Sequence, residues 1–183
     1  MFRYHTCAAA LLALSLSACS DGSSPSSSEK LLAANDFEQL AGWIGDNPAG
    51  ATLTTDKAHS GKYSVVVKPG SDYGLGYGNV LSKLSGTRPA KIAVSAWVLV
   101  PNKDAGAVLV TEIKDPATNK TLLWAGLDCG KQVKKFNEWQ KVEKTIDIPA
   151  EATAASRIQI YPWRGGGGQP VYVDDVEVRL VNP

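Results

Sequence analysis

"VYVDDVEVRL", residues 171–180, is an alternating apolar run with two adjacent aspartates at its centre. Its valines and tyrosine, at a period of two, read as a β-strand. Successive strand side chains point to opposite faces, so one of Asp174 and Asp175 has to turn inward. Val176, Val178 and Leu180 share parity with Asp174 and Tyr172, whereas Asp175, Glu177 and Arg179 form a charged set. The charged set reads as the solvent face, which assigns the inward position to Asp174. Val171 and Val173 break this alternation, so the start of the strand is expected to be covered on both sides. A buried carboxylate is costly unless paired or coordinated. Its partner is a lysine, a set of backbone N–H donors or a hard cation, and the strand alone leaves all three open.

Six further stretches read as strands: "YSVVVK" (63–68), "KIAVSAWVLV" (91–100), "GAVLVTEI" (106–113), "TLLWAGL" (121–127), "WQKVEKTIDI" (139–148) and "SRIQIYPW" (156–163). Turn-forming segments separate them, among them "HSGK", "PNKDAG", "DPATNK", "PAEATAA" and "GGGG". No segment reads as an amphipathic helix. Short strands punctuated in this way predict an all-β fold, an antiparallel β-sandwich.

The N-terminus, "MFRYHTCAAALLALSLSAC", has one early cation, Arg3, and an apolar stretch from Cys7 to Leu16. That is the pattern of an export signal, too short to span a membrane. Its end, Leu16-Ser17-Ala18-Cys19, resembles the bacterial lipobox. The resemblance implies cleavage before Cys19 and a lipid on that cysteine; an ordinary signal peptide cut nearby is the alternative. Residues 1–18 are then the signal, and the serine-rich 19–30 a flexible tether. Residues 31–183 form one domain, held at the cell envelope by its lipid. Ser20 after the cysteine favours the outer membrane, by resemblance to enterobacterial sorting.

Of 19 lysines and arginines only Arg3 leaves with the signal, so 18 cations face 18 anions. That balance gives no reason to expect nucleic acid as a partner. Of three cysteines, Cys7 departs and Cys19 carries lipid, so Cys129 has no disulfide partner.

Three separated stretches carry a family resemblance: "NDFEQLAGW" (35–43), "DKAHSGKYSVVV" (56–67) and "VYVDDVEV" (171–178). In that order they resemble the β-sandwich carbohydrate-binding modules of families four, nine and twenty-two. "VSAWV" (94–98), "EWQKVEKTIDIPA" (138–150) and "IQIYPW" (158–163) fit the same pattern, and the resemblance covers roughly residues 31–181. It implies a jelly-roll sandwich that binds polysaccharide or oligosaccharide without cleaving it, acting as a monomer. It also implies a structural calcium ion joining the first strand, the "HSGK" turn and the last strand. Carried over by position, Glu38 supplies a carboxylate, and carbonyls near Asp36, Ser60 and Lys62 supply neutral oxygens. Asp174 closes the shell, with Asp175 beside it. Calcium accepts six to eight such oxygens in irregular geometry. An Asp174–Lys62 ion pair is the alternative.

Sugar recognition calls for aromatic faces and planar hydrogen-bonding groups. If Ile158 and Ile160 are core, Arg157, Gln159, Tyr161 and Trp163 share the opposite face as a sugar platform. Trp124 projects away from Leu123, Ala125 and Leu127. Trp97 joins that face or packs under a loop, and Trp139 reads as edge packing. Tyr73 and Tyr77, in the glycine-rich 71–80 segment, are placed where loops of the resembling modules touch ligand. Arg164 opens "WRGGGGQP", which reads as a mobile loop. It reaches a sugar hydroxyl or a uronate, or stays in solvent.

Catalysis has little to draw on. Past the signal the only histidine is His59, and Cys129 lacks a histidine partner, so it reads as a buried thiol. A glycosidase needs two carboxylates on one cleft, and Glu112 with Asp128 is the conceivable pair. A lyase of the same fold would use Tyr161 with Arg157 or Arg164. A structural envelope protein whose sandwich binds another protein is the remaining class.

Overall fold

Strand β5 (Lys91–Leu99) shows how the domain is layered. Its even-numbered residues Ile92, Val94, Ala96 and Val98 are buried in the core, and its odd-numbered ones lie on the other face. In the computed structural model, which describes residues 29–40 and 47–181, such strands form two antiparallel sheets. The remaining strands are β1 (Lys30–Asn35), β2 (Leu53–Thr54), β3 (Ser64–Val67), β4 (Tyr77–Val80), β6 (Val108–Lys114), β7 (Thr121–Asp128), β8 (Trp139–Asp147), β9 (Arg157–Trp163) and β10 (Val171–Leu180). The first sheet runs β2-β3-β10-β5-β8, with β1 against the second half of β10, and the second runs β4-β9-β6-β7.

All seven stretches read as strands are strands, and the fold is the expected β-sandwich. Between the sheets, Ile92, Val94 and Val98 face a layer that includes Leu109, Ile113, Ile158 and Ile160. Each such aliphatic side chain contributes roughly 1.5–3 kcal/mol on full burial. This core holds the domain without a disulfide: Cys129 is a free, buried thiol, and burial pushes it up to about 12. Lys144 reaches across the edge of the sandwich, its Nζ donating to the Gly126 carbonyl at 2.7 Å.

Three expectations need correction. Part of the 71–80 segment read as a loop is strand β4, paired with β9 from Tyr77↔Ile160 to Val80↔Arg157. The 19–30 stretch read as a tether overlaps strand β1 by one residue, Lys30. Short helices are present: α1 (Leu81–Ser85) buries Leu81 and Leu84 and ends on left-handed Gly86, and α2 (Cys129–Gln132) is capped by Asp128. Helices of five and four residues are too short to show a helical period.

The parity of β10 is a further correction. Asp174 lies opposite Trp97 and Glu177 opposite Ser95, so Asp175 and Val176 together face one residue of β5. This is a β-bulge, with Asp175 at φ 44°. A bulge adds one residue and inverts the side-chain alternation beyond it. Upstream, Val171 and Val173 point to the core; downstream, Val178 does. Asp174 therefore lies on the outer side with Trp97, not among the core valines. Its burial comes from the turn laid over it.

Candidate functional site

The second sheet turns one face outward. On β9, Ile158, Ile160 and Pro162 are buried while Gln159, Tyr161 and Trp163 are half-exposed and Arg157 is exposed. The expected row of Arg157, Gln159, Tyr161 and Trp163 is therefore on one side. Strand register extends it: Trp163 lies opposite Val108, Tyr161 opposite Val110, Gln159 opposite Glu112 and Arg157 opposite Lys114. Glu112 in turn faces Trp124 on β7.

The aromatic rings gather at one end. Trp124, 51% exposed, meets Trp163 edge-on with ring centres 6.3 Å apart. Its ring leans over Gly126, where an added Cβ would come within 2.8 Å of it, so the glycine makes room for the indole. Tyr73, 61% exposed, bridges by its backbone to Trp163, and its ring sits 6.0 Å from that of Tyr161. Beside Tyr73 and Tyr161 lies a cleft of about 380 Å³, lined also by Tyr77, Glu112, Lys114 and Gln159.

Glu112 occupies the centre of this face and is only 9% exposed. Thr121 Oγ1 donates to its Oε1 at 2.8 Å, and Lys114 Nζ lies 3.3 Å from its Oε2. Burial, then the Glu112 charge and Tyr73, push the Tyr161 phenol above its ordinary value, so it stays a hydroxyl. The face offers apolar ring surfaces beside a carboxylate, an amide and a phenol. That combination suits the alternating C–H and O–H surface of a sugar.

Of two further expected contributors, one reaches the cleft. Tyr77 pairs with Ile160 and packs against the core, and it also lines the cleft. Arg164 binds Asp72 through Nε at 2.5 Å and donates to the Gly167 carbonyl at 2.6 Å. It closes its own loop, in which Gly167 is buried against Gly106 with no room for a side chain. Glu112, Lys114 and Thr121 were not read as binding residues. The alternation of Val108, Val110, Glu112 and Lys114 against Leu109 and Ile113 carried that signal, and so did Gly76 and Gly78 at a period of two.

The aspartate pair forms a second cluster, on the outer side of the first sheet. Asp174 Oδ2 accepts the N–H groups of His59 (2.8 Å) and Ser60 (3.2 Å), and its Oδ1 accepts that of Asp175 (2.7 Å). Asp175 holds His59 Nδ1 at 2.5 Å and the Ser60 hydroxyl at 2.7 Å. From the other side, Glu38 Oε1 accepts the N–H groups of Lys62 and Tyr63, both at 2.7 Å. Gly61 is at φ 55°, and a Cβ there would lie 2.2 Å from Glu38 Cδ, so the turn admits only glycine. His59 stacks on Trp97 at 3.8 Å and meets Trp139 edge-on at 5.7 Å. Trp97 thus packs under a loop.

The buried carboxylate has backbone N–H groups as partners, the second of the three options. No Asp174–Lys62 ion pair forms among the described residues. Burial raises Asp174 above the ordinary carboxylate value, and the three N–H groups oppose that rise. The residues expected to hold calcium are brought to this turn, apart from Asp36. That residue accepts from the Glu38 N–H and lines an acidic cleft with Asp175 and Glu177. Ser60 and Lys62 present N–H groups to the carboxylates. Among the described residues, no three His, Cys, Asp or Glu side chains converge into a metal-holding group. This arrangement does not fit the cation as expected, since a positive ion beside Asp174 would meet the positive ends of those N–H bonds. Cys19 and the signal lie outside the described residues.

No protein-family model matches the chain, and no curated protein does. Solved structures share its fold. The tandem pair of family 22 carbohydrate-binding modules of Xyn10C from Paenibacillus barcinonensis matches 87% of this chain and 47% of its own, with TM-score 0.53 and 15% identity. The first of those modules, described as a xylan-binding domain, matches 72% of this chain and 80% of its own, with TM-score 0.47 and 16% identity. The C-terminal family 22 module of Xyn10B from Clostridium thermocellum matches 71% and 79%, with TM-score 0.47 and 14% identity. The likeness is one of fold: the β-sandwich of the carbohydrate-binding modules.

Proposed function

We propose that this chain is a non-catalytic polysaccharide-binding protein, tethered to the cell envelope by a lipid on Cys19. The observation that carries this reading is the outward row on β9 and its neighbours. Trp124, Trp163, Tyr161 and Tyr73 stand with Gln159 and Glu112 on the outward face of this sheet, where Trp124 and Tyr73 are exposed and Tyr161, Trp163 and Gln159 half-exposed. Its strand-wise length is about 20 Å, enough for several sugar rings, and it is open at both ends. An open face suits an internal stretch of a chain. Fold likeness to carbohydrate-binding modules supports the same reading. The "LSAC" sequence at 16–19 supports the anchor, and Ser20 supports the outer membrane.

Distances favour binding over cleavage. Asp128 lies four residues along the strands from Glu112, about 13 Å, against the roughly 5–9.5 Å that separates glycosidase carboxylates. Asp128 also caps α2 and pairs with Lys131 at 2.9 Å. As a lyase base, Tyr161 would need a lowered pKa, and its environment raises it. The experiment is retention of the purified protein on a panel of neutral and acidic polysaccharides, with released ends assayed in parallel. Retention on one polymer without release supports the proposal. Reducing or unsaturated ends would make the protein an enzyme, and silence across the panel would favour a structural envelope protein.

A further inference from the structure

The sugar-facing sheet is chemically uneven from end to end. Its aromatic rings gather around Trp163, while the far end carries two cations. Lys114 and Arg157 lie directly opposite each other in register, and their neighbours Ile113 and Ile158, fully buried, fix both on the outer face. Like charges directly opposed across strands destabilise a sheet. One of the two is neutralised: Lys114 Nζ lies 3.3 Å from Glu112, whose other oxygen is taken by Thr121. Arg157 is exposed, and none of the ion pairs among the described residues involves it. Glu112 is committed to Lys114 and Thr121, so one positive charge stays unmatched at the end of a surface otherwise suited to neutral rings. At the aromatic end, the equivalent cation, Arg164, is already closed onto Asp72.

Resting on the reading of this face as a polysaccharide site, we propose that Arg157, supported by Lys114, receives the carboxylate of a uronic acid carried by the bound glycan. The planar guanidinium fork matches a carboxylate in two parallel hydrogen bonds. Gln159, next in the row, faces the ring hydroxyls, and Tyr161 and Trp163 beyond it stack on the neutral part of the chain.

The test compares one uronate-bearing polysaccharide with the same polymer after its carboxyls have been reduced to alcohols. Affinity is measured with the full chain, with Arg157→Gln and with Trp163→Ala. The unmodified protein should prefer the acidic polymer by about tenfold, the effect of one charge-assisted bidentate pair. Arg157→Gln should remove that preference, so that the acidic and the reduced polymer bind this variant equally. Trp163→Ala should weaken binding to both polymers alike. Equal affinity of the unmodified protein for the two polymers would overturn the uronate proposal and leave the binding function standing. So would a preference that survives Arg157→Gln. Retention of neither polymer would overturn the binding function itself, and the uronate proposal with it.

Discussion

The two sheets each carry an aromatic cluster built around a buried carboxylate, yet the clusters differ in what closes them. On the first sheet, Trp97 and Trp139 surround Asp174, and the His59–Gly61 turn lies over them, its N–H groups pointing down into the carboxylate. On the second, Trp124 and Trp163 stand near Glu112, and Trp124 is left exposed and Trp163 half-exposed. Asp174 is fully buried with three backbone donors; Glu112 has one hydroxyl and one ammonium on the sheet surface. Similar residue types give a structural staple where the chain supplies the cover. Where it does not, they leave aromatic rings exposed on the sheet, the face proposed to take a glycan.

The comparison breaks first at Asp174. Asp174→Ala strands three N–H groups beneath the turn, at about 1 kcal/mol or more each. For a domain of this size, that should lower the melting temperature by roughly 6–12 °C. A drop of a degree or less would mean that the turn is held by Glu38 and the aromatic stack instead. The pair Trp97→Ala and Trp163→Ala then separates the two clusters. Trp97→Ala removes the surface under His59 and should cost about 2 kcal/mol of stability without changing glycan affinity. Trp163→Ala should weaken binding about tenfold or more and leave the melting temperature near its original value. If both variants lose binding, or both lose stability, the division between staple and site is not real.

What the sequence revealed follows the range of the physics. Ile158 and Ile160 alternate with Arg157, Gln159, Tyr161 and Trp163 within seven residues, so the outward row was legible from a strand's own period. Asp174 was rightly read as buried, but its direction was not legible. The bulge that inverts β10 depends on pairing with β5, eighty residues away in the chain. Strand β1, "KLLAAN", has no β-branched residue, and β4, "YGNV", sits in a glycine-rich stretch; pairing with β10 and β9 overrides that weak propensity. Arg164 looked free because its partner Asp72 is 92 residues away. The backbone donors of the turn were equally hidden, since every residue type carries them.

A smaller effect separates two carboxylates on β10 itself. Burial raises Asp174 above 3.8, so the folded state holds its proton more tightly than the unfolded chain. Its contribution to stability is present at low pH and is lost as pH rises through the window just above 3.8. Glu177 is the reverse. Burial pushes it up, but hydrogen bonds and charges from Arg179 and Lys141 outweigh that and leave it below 4.5. Its contribution is present above 4.5 and is lost as pH falls through its lowered value. Asp174→Asn should therefore make stability rise more steeply with pH just above 3.8, and Glu177→Gln should flatten the loss below 4.5. Denaturant midpoints at closely spaced pH values measure both; the same change of slope in the two variants would refute these assignments.

The smallest expected effect is none at all, and it bears on the clamp most directly. Backbone N–H groups already satisfy both oxygens of Asp174 and Oε1 of Glu38, and His59 and Ser60 occupy Asp175. A cation bound only by the folded state would raise the melting temperature with its concentration. With hydrogen bonds closing the turn, a strong chelator should leave the melting temperature unchanged, and added calcium should not raise it. A drop on chelation that calcium reverses would mean that the carboxylates turn from these donors toward an ion. The covered cluster would then be completed by an ion, as the open one is proposed to be by a sugar.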